Sequence, residues 1–286
     1  VTQHIDVFVK DNTDNIQKWA DAMKNLPDTV KDVADNTDLA VDFFDSQADM
    51  HELDFLPVKN TTCITLHCSA DIAACLAAGD CRGNLECEAA CPAHDFFCQF
   101  TCTQSYPSNA FDTMFSCLFV EHGCLWLPPP EPINNATCRD HTPVAEIDEA
   151  GLEGTWYVVS GFNPVYDCFA CQMETFTVKD GQVSYTANFN MAATNGTEIW
   201  PSAEMSGNIT GGVVELYGFD HGLPDHQSWN VMYQKEDTLV TYYCGDVLDQ
   251  WHFEGLIVMS KTTSLNMERM DDIRAVLASL DISEDE

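Results

Sequence analysis

Basic residues are scarce in this chain: 12 Lys and Arg stand against 46 Asp and Glu, for a formal net charge of -34. A chain this acidic repels nucleic acids and anionic membrane surfaces, so neither is expected as a default partner. Protonation of carboxylates near pH 4 to 5 would relieve the self-repulsion, so association with itself or with an anionic surface is expected to strengthen on acidification. The alternative is that the charge only keeps the protein in solution. No apolar run approaches the ~20 residues of a membrane span, and no transmembrane helix is predicted.

Zinc-binding spacings are also nearly absent. The chain has 14 cysteines, ten of them from Cys63 to Cys124, but a single C-x-x-C pair, Cys168 and Cys171. This favours disulfides over metal binding, and therefore an oxidising compartment. The chain starts at Val1 with no signal-peptide pattern, as expected of a mature form whose targeting segments have been removed. Four N-x-[ST] sequons would suit a secreted glycoprotein instead, at Asn60, Asn135, Asn195 and Asn208.

The first 60 residues lack cysteine and predict a helical arm. Two helices are expected, at Asp11 to Leu26 and Pro27 to Phe44, with Ile16, Trp19 and Met23 forming an apolar stripe on the first. Such an arm is too small to bury its own stripe. It either packs on the cysteine-rich segment or docks on another protein.

The cysteine spacing from residue 63 to 124 predicts nested disulfides. A twin C-x3-C pattern places two cysteines on one face of each of two short antiparallel helices, which pairs Cys87 with Cys102 and Cys91 with Cys98. The same reasoning predicts the further pairs Cys63–Cys81, Cys68–Cys75 and Cys117–Cys124. Each bridge is expected to contribute ~3 kcal/mol in the chain-entropy model.

The second half of the chain predicts an eight-stranded up-and-down barrel that holds one ligand. Alternation around Trp156 predicts the first strand, and seven more are expected at Glu174 to Val178, Gln182 to Asn190, Glu198 to Met205, Val213 to Tyr217, Ser228 to Tyr233, Leu239 to Tyr243 and Leu256 to Ser260. Helical spacing predicts a closing helix from Met267 to Leu280. The predicted organisation is an arm at 1–60, a cysteine-rich helical domain at 61–127, a Pro-rich linker at 128–150, the barrel at 151–263, and a C-terminal helix and acidic tail at 264–286.

The run from Gly154 to Gln172, GTWYVVSGFNPVYDCFACQ, resembles the opening of the lipocalin domain of violaxanthin de-epoxidases, and the cysteine spacing resembles the cysteine-rich domain of the same family. The fold class that this implies is α+β, with disulfide-stapled helical hairpins followed by a lipocalin barrel and a C-terminal helix. The family further implies the thylakoid lumen of the chloroplast, a bound xanthophyll or other carotenoid, and reductive removal of an epoxide with ascorbate at low pH.

The resemblance also implies site residues. Asp167 matches the family's loop Asp, and Tyr243 matches a Tyr near the barrel mouth. The family's acid before a strand Trp is missing ahead of Trp229, where Asp225 is displaced, and His226 is a possible substitute donor. The family's two loop histidines are replaced by Glu174 and Thr177. Residues expected to line the ligand cavity are Trp156, Phe162, Tyr166, Phe169, Tyr185, Phe189, Trp229, Tyr242 and Trp251.

Four cysteines remain for the barrel half. Cys171 matches the family's barrel cysteine, whereas Cys168 and Cys244 lie where the family carries none. The family partner of Cys171 lies near the C-terminus, but no cysteine follows Cys244, so a new pairing is needed. The pairs expected are Cys138–Cys171 and Cys168–Cys244.

Two functions follow as hypotheses. The substituted acid and histidines favour a weakly catalytic or non-catalytic xanthophyll-binding relative, ~100-fold below a competent enzyme and held on a photosystem or light-harvesting complex by its arm. Deleting residues 1 to 45 would then release it from those complexes. The alternative is an active de-epoxidase that uses ascorbate. A secreted lipocalin for another apolar ligand is a third hypothesis.

Overall fold

The computed structural model describes residues 61–92, 95–125, 138–163, 167, 169–248 and 251–283, with only the backbone given for Thr61, Phe96 and Trp251. The predicted helices of the arm lie outside these residues. The chain divides into two compact units. Unit 1 takes in residues 1–129, 193–195 and 221–223, and unit 2 takes in residues 130–192, 196–220 and 224–286. Within the described residues, no helix is both long enough and apolar enough to cross a membrane.

Unit 1 is helical. Its first helix, α1, begins at Thr61–Cys63, passes through a π-helical turn at Ile64–Cys68 and continues as Ser69–Ala77. It is followed by α2 (Gly79–Ala89), α3 (Phe96–Ser105) and α4 (Asn109–Phe115), which runs into a second π-helical turn at Ser116–Glu121. Asp95 caps α3, since its side chain accepts a hydrogen bond from the Cys98 amide at 2.9 Å. Ile72, Leu76, Phe111 and Leu118 belong to the apolar core between these helices.

The disulfides of unit 1 confirm two predicted pairs and correct three. Cys87–Cys102 and Cys91–Cys98 form as the twin pattern predicts. The predicted Cys63–Cys81, Cys68–Cys75 and Cys117–Cys124 bridges are wrong, because the bonds are Cys63–Cys124, Cys68–Cys117 and Cys75–Cys81. The physical reason is that α1 packs along α4 and its π-helical turn instead of folding back on itself. Ala78 has an extended backbone conformation, which ends α1 and separates it from α2. The Cys75–Cys81 disulfide joins the two helices across this residue.

Unit 2 contains a closed antiparallel barrel. Its strands are β1 (Gly154–Gly161), β2 (Ala170–Lys179), β3 (Gln182–Ala192), β5 (Ser202–Thr210), β6 (Val213–Asp220), β7 (Leu223–Lys235), β8 (Thr238–Val247) and β9 (Trp251–Ser260), with a two-residue strand β4 (Glu198–Ile199) beside β3. The order β2-β1-β9-β8-β7-β6-β5-β3 closes because β2 also pairs with β3. The eight-stranded lipocalin-type barrel that the sequence predicts is therefore present. The predicted strand from Glu198 to Met205 is interrupted at Trp200 and Pro201, because proline has no N–H to continue the ladder.

The C-terminal helix covers one outer face of the barrel. After the short helix α5 (Glu149–Leu152) and the barrel, the chain forms a 3₁₀ turn at Met267–Arg269 and then α6 (Met270–Ser279), close to the predicted bounds. Ile273 and Val276 pack with Val240 and Tyr242 of β8. This cluster is a second apolar core, separate from the barrel interior because residues 240 and 242 alternate with the inward-facing Thr241 and Tyr243.

A disulfide and an arginine attach the segment before the barrel to this face. Cys138 bonds to Cys244, so the predicted pairs Cys138–Cys171 and Cys168–Cys244 are both wrong. Cys171 is exposed and forms no disulfide with a described residue, and Cys168 lies outside the described residues. The Arg139 guanidinium donates to the carbonyl of Leu280 at 3.1 Å and pairs with Glu254 at 3.1 Å. The bridge thereby places Arg139 where it ties the end of α6 to the sheet.

Candidate functional site

A buried aspartate and a tyrosine form the first part of the candidate site. Asp167 lies in the loop after β1, where the Tyr243 hydroxyl donates to its Oδ1 at 2.7 Å and the Asn163 amide donates to its Oδ2 at 2.9 Å. Two glycines make room for this pair. A Cβ on Gly161 would lie 2.1 Å from the Cβ of Asp167, and one on Gly255 would lie 2.2 Å from the Tyr243 ring. The sequence-predicted residues Asp167 and Tyr243 are therefore in direct contact.

A second carboxyl group, Glu174, lies inside the barrel. It is 1% exposed, and its Oε1 accepts a hydrogen bond from the Gln172 side chain at 3.0 Å. Burial raises the pKa of Glu174 to about 7, and burial likewise raises the pKa of Asp167 to about 7 despite its hydrogen bonds. Both groups are therefore mainly protonated at pH 5. A protonated carboxyl group can donate a proton to a bound molecule, which an ionised one cannot.

Asp225 on β7 is the third carboxyl group. The side chains of residues 225, 227 and 229 share one face of the strand, and they form a hydrogen-bonded series: the Trp229 indole donates to Gln227 at 2.7 Å, and the Gln227 amide donates to Asp225 Oδ2 at 2.7 Å. The other oxygen, Oδ1, is buried and has no hydrogen-bond partner within the described part of the chain. Burial and the nearby Asp220 raise the pKa of Asp225 to about 7.

Tyr185 of β3 interacts electrostatically with all three of these carboxyl groups. Burial raises its pKa well above the ordinary value, and the charges of Glu174, Asp167 and Asp225 raise it further. Its ring is 5.0 Å from Trp229 and 5.3 Å from Phe176, and the Trp229 ring stacks on Tyr243 at 5.6 Å. The barrel interior therefore combines an apolar aromatic surface with several proton-donating groups. We call Asp167, Glu174, Asp225 and Tyr185 the interior acid cluster.

A groove of about 850 Å³ reaches this cluster from the surface. Strands β3, β5, β6, β7 and β8 contribute to its wall, which includes Tyr185, Met205 and Asp225. Two exposed aromatic residues of β6, Tyr217 and Phe219, also line it, and Phe219 is 77% exposed. The volume falls within the range of small-molecule sites. An apolar molecule in this groove would contact both aromatic surface and the carboxyl group of Asp225.

His226 does not join the interior acid cluster, although it follows Asp225 directly. Because side chains alternate along a strand, His226 lies on the other face of β7, where its ring stacks on Tyr217 at 4.7 Å. Its ring nitrogens are 2.9 Å from Glu215 and 3.2 Å from Asp246. Burial lowers the pKa of His226, but these two carboxylates outweigh that effect and raise it. His226 also lines the groove. Because Glu215 and Asp246 engage both ring nitrogens, neither nitrogen is directed at the interior, and the role of His226 as a substitute proton donor stays a prediction.

The predicted cavity-lining aromatic residues divide into two groups. Tyr185 and Trp229 lie in the interior, Phe169 stacks on Phe189 at 4.2 Å, and Trp156 is fully buried with its Cα paired to that of Glu174. The prediction is wrong for Tyr242 and Phe162. Both pack in the apolar cluster beneath α6, and the Tyr242 hydroxyl donates to Glu254 at 2.5 Å. Tyr166 and the side chain of Trp251 lie outside the description.

Three interior residues were missed as site residues from the sequence: Glu174, Asp225 and Phe176. The signal was present in the alternation, since Glu174 and Phe176 occupy the same face of β2 as Gln172. Asp225 is two residues before Gln227 and four before Trp229, on the same face of β7. Asp225 therefore occupies the inward-facing position before Gln227, one inward position further from Trp229 than the residue directly preceding it on that face.

The raised pKa values predict that unit 2 is more stable in acid. An unfolded Asp or Glu has a pKa near 4, so between about pH 4 and 7 the folded protein holds protons that the unfolded chain has lost. The stabilisation of the folded state by these retained protons is fully present below pH 4 and is lost as the pH rises through 7. We expect the free energy of unfolding in urea to be at least about 2 kcal/mol larger at pH 5 than at pH 8.

The variant Glu174→Gln separates the effect of the buried Glu174 carboxyl group on the pH dependence of stability from the effect of the chain's overall negative charge. It should reduce the difference between the two pH values, whereas Glu236→Gln in an exposed turn should not. Equal pH dependence in both variants would show that Glu174 does not retain its proton.

Comparison with known proteins identifies relatives of this sequence. The sequence model of the VDE lipocalin domain matches residues 60–286. The chain is 26% identical over 129 residues to the chloroplastic violaxanthin de-epoxidase of Spinacia oleracea, covering 44% of this chain and 27% of that protein. It is 23% identical over 230 residues to that of Arabidopsis thaliana, covering 73% of this chain and 47% of that protein. The chain thus spans less than half the length of these curated relatives.

Solved structures of similar fold include two further proteins. One is lobster apocrustacyanin A1, 12% identical, with a TM-score of 0.38 and coverage of 54% of this chain and 87% of that chain. The other is insecticyanin from the tobacco hornworm Manduca sexta, 16% identical, with a TM-score of 0.38 and coverage of 52% and 88%.

Proposed function

The chain belongs to the VDE lipocalin domain family, and from this premise we propose that its barrel binds an epoxy-xanthophyll and promotes acid-assisted opening of the epoxide. The observation that carries the proposal is the groove leading to Asp225, whose buried Oδ1 has no hydrogen-bond partner among the described residues. A xanthophyll is a long apolar molecule with oxygen atoms on its end rings. The groove offers aromatic surface for the hydrocarbon and a proton donor for the oxygen.

The proposed chemistry starts with the proton of Asp225. At pH 5 this carboxyl group is protonated, since its pKa is raised to about 7, and it donates to the epoxide oxygen as the C–O bond breaks. Asp167 and Glu174 keep the surroundings uncharged at that pH, because their pKa values are raised in the same way. Complete removal of the oxygen as water requires two electrons, which ascorbate would supply while it becomes dehydroascorbate. Without a reductant, protonation can only open or rearrange the epoxide.

The proposed location is the chloroplast, in agreement with the chloroplastic relatives, and within it the thylakoid lumen. Six disulfides among the described residues favour an oxidising compartment. An acidic lumen would also protonate the interior acid cluster. Attachment to a photosystem or light-harvesting complex through the arm stays a prediction, because the arm lies outside the described residues.

A second candidate function is xanthophyll binding without catalysis. It is favoured by Gln227, an amide that occupies the inward position just before Trp229 along β7 and donates a hydrogen bond to one oxygen of Asp225 at 2.7 Å. If Asp225 serves only this hydrogen bond, the barrel would hold the pigment without converting it. The two candidates share a ligand and differ only in turnover.

The test uses purified protein with violaxanthin, which carries two epoxides, and zeaxanthin, which carries none. Binding is followed by quenching of tryptophan fluorescence, and products are separated by chromatography at pH 5 and pH 7.5, with and without ascorbate. We expect both pigments to bind, and only violaxanthin to be converted, at least about tenfold faster at pH 5. Binding without conversion would support the second candidate. Failure of both pigments to bind would overturn both candidates.

A further inference from the structure

Two disulfides of unit 1 are in contact with each other. Cys87–Cys102 and Cys91–Cys98 both join the end of α2 to α3. The Sγ atoms of Cys91 and Cys102, which belong to different bridges, are 3.7 Å apart. The sulfur atoms of Cys91, Cys98 and Cys102 all lie within 4.8 Å of one another. A thiolate released from one bridge is therefore already beside a sulfur of the other.

The four cysteines differ in how exposed the residues are. Cys102 is fully buried, whereas Cys87, Cys91 and Cys98 are partly exposed. A reductant can attack from solvent at Cys98, which releases the Cys91 thiolate, or at Cys87, which releases the Cys102 thiolate. In either case the released thiolate is 3.7 Å from the sulfur that it would attack next. Both routes lead to the same new bridge, Cys91–Cys102.

We infer that Cys87, Cys91, Cys98 and Cys102 form a thiol–disulfide exchange site for a dithiol reductant, in which the first reduction moves the remaining bridge to Cys91–Cys102. In the first route, a reductant thiolate attacks Cys98 Sγ, forms a mixed disulfide and releases Cys91 as a thiolate. Cys91 then attacks Cys102 Sγ, forms the new bond and releases Cys87. The second thiol of the reductant displaces Cys98 and closes its own disulfide. The protein gains two electrons and two protons, as thiols at Cys87 and Cys98.

The new bridge is compatible with the fold. It requires the two sulfurs to move from 3.7 Å to a bond length of about 2.05 Å. Cys91 lies two residues after Ala89, the last residue of α2, so its side chain can shift without unwinding that helix. The original bridge spans 15 residues, and the new one spans 102 minus 91, or 11 residues. Because these loops are similar in length, the chain entropy hardly distinguishes them, and both bridges should be populated.

The test is limited reduction followed by trapping. Protein carrying Cys171→Ser, which removes the exposed free thiol, is treated with substoichiometric dithiothreitol at pH 8 and quenched with N-ethylmaleimide. Molecules that carry two labels are mapped by mass spectrometry without further reduction. We expect at least about one quarter of them to carry the labels on Cys87 and Cys98 with Cys91 bonded to Cys102. Labels confined to Cys91 and Cys98, or to Cys87 and Cys102, would overturn the inference.

A second measurement uses kinetics. In the double variant Cys91→Ser with Cys98→Ser, the Cys87–Cys102 bridge has no neighbouring sulfur to receive the exchange. We expect its reduction to be at least about tenfold slower than the appearance of labelled Cys87 in the parent protein at equal dithiothreitol. Equal rates would show that the reductant attacks Cys87 directly and would overturn the first route, which enters at Cys98. If the double variant does not fold, the mapping of the parent protein still decides the question.

Discussion

Replacing Asp225 with asparagine should lower the rate of xanthophyll epoxide opening at pH 5 by about 100-fold or more, the typical loss when a general acid is removed. Asparagine has nearly the same size and keeps an oxygen for the 2.7 Å hydrogen bond from Gln227. Only the acidic proton is lost. Binding of violaxanthin should therefore change by less than about threefold, and the loss should appear in the rate at saturating pigment. Product formation at pH 5 and fluorescence quenching measure the two quantities separately.

Asp271→Asn provides the matched control, because the side chain of Asp271 is 98% exposed on α6. It should leave both binding and rate unchanged. Asp225→Glu keeps an acid at the site and should restore part of the lost rate. If Asp225→Asn retains full activity while the parent protein converts violaxanthin, the donor is a different member of the interior acid cluster, and Asp167→Asn would be the next variant. Such a result would leave the proposed function standing and overturn only the role of Asp225.

Removing the Cys138–Cys244 disulfide should cause the largest loss of stability. The bridge closes a loop with a sequence separation of 106 residues, for which the chain-entropy model gives about 4.7 kcal/mol. The double variant Cys138→Ser with Cys244→Ser should therefore lower the free energy of unfolding of unit 2 by about 4 to 5 kcal/mol. Urea unfolding followed by tryptophan fluorescence, with the other disulfides kept oxidised, measures this change.

The control for that experiment is Cys171→Ser, which removes an exposed cysteine outside any described disulfide and should change stability by less than about 0.5 kcal/mol. The double variant should also loosen the end of α6, because Cys138 places Arg139 against the carbonyls of Leu280 and Asp281 at 3.1 Å. Hydrogen exchange at residues 276–283 would report that change. A loss of stability below about 1 kcal/mol would show that the unfolded chain gains little freedom when the bridge is removed.

Local patterns in the sequence predicted the features that depend on local geometry. The alternation of apolar residues in segments such as Gln182 to Asn190 predicts strands, because a strand turns successive side chains to opposite faces. The spacing of Cys87, Cys91, Cys98 and Cys102 predicts the two bridges between α2 and α3, because cysteines four residues apart lie on one face of a helix and a short loop brings the helices together. The helix near the C-terminus follows from the same periodicity.

The sequence by itself thus determined the barrel strands, the twin bridges and, by resemblance, Asp167 and Tyr243 as candidate site residues, whereas their contact is seen only in the structure. Only the tertiary structure decided that Cys68 meets Cys117 and Cys138 meets Cys244, since these pairs depend on how distant elements pack. It also decided that Glu174 and Asp225 join Asp167 around Tyr185. The alternation shows which face of its strand a carboxyl group occupies. Barrel closure brings β2, β3 and β7 around one interior, and desolvation there keeps the carboxyl groups protonated.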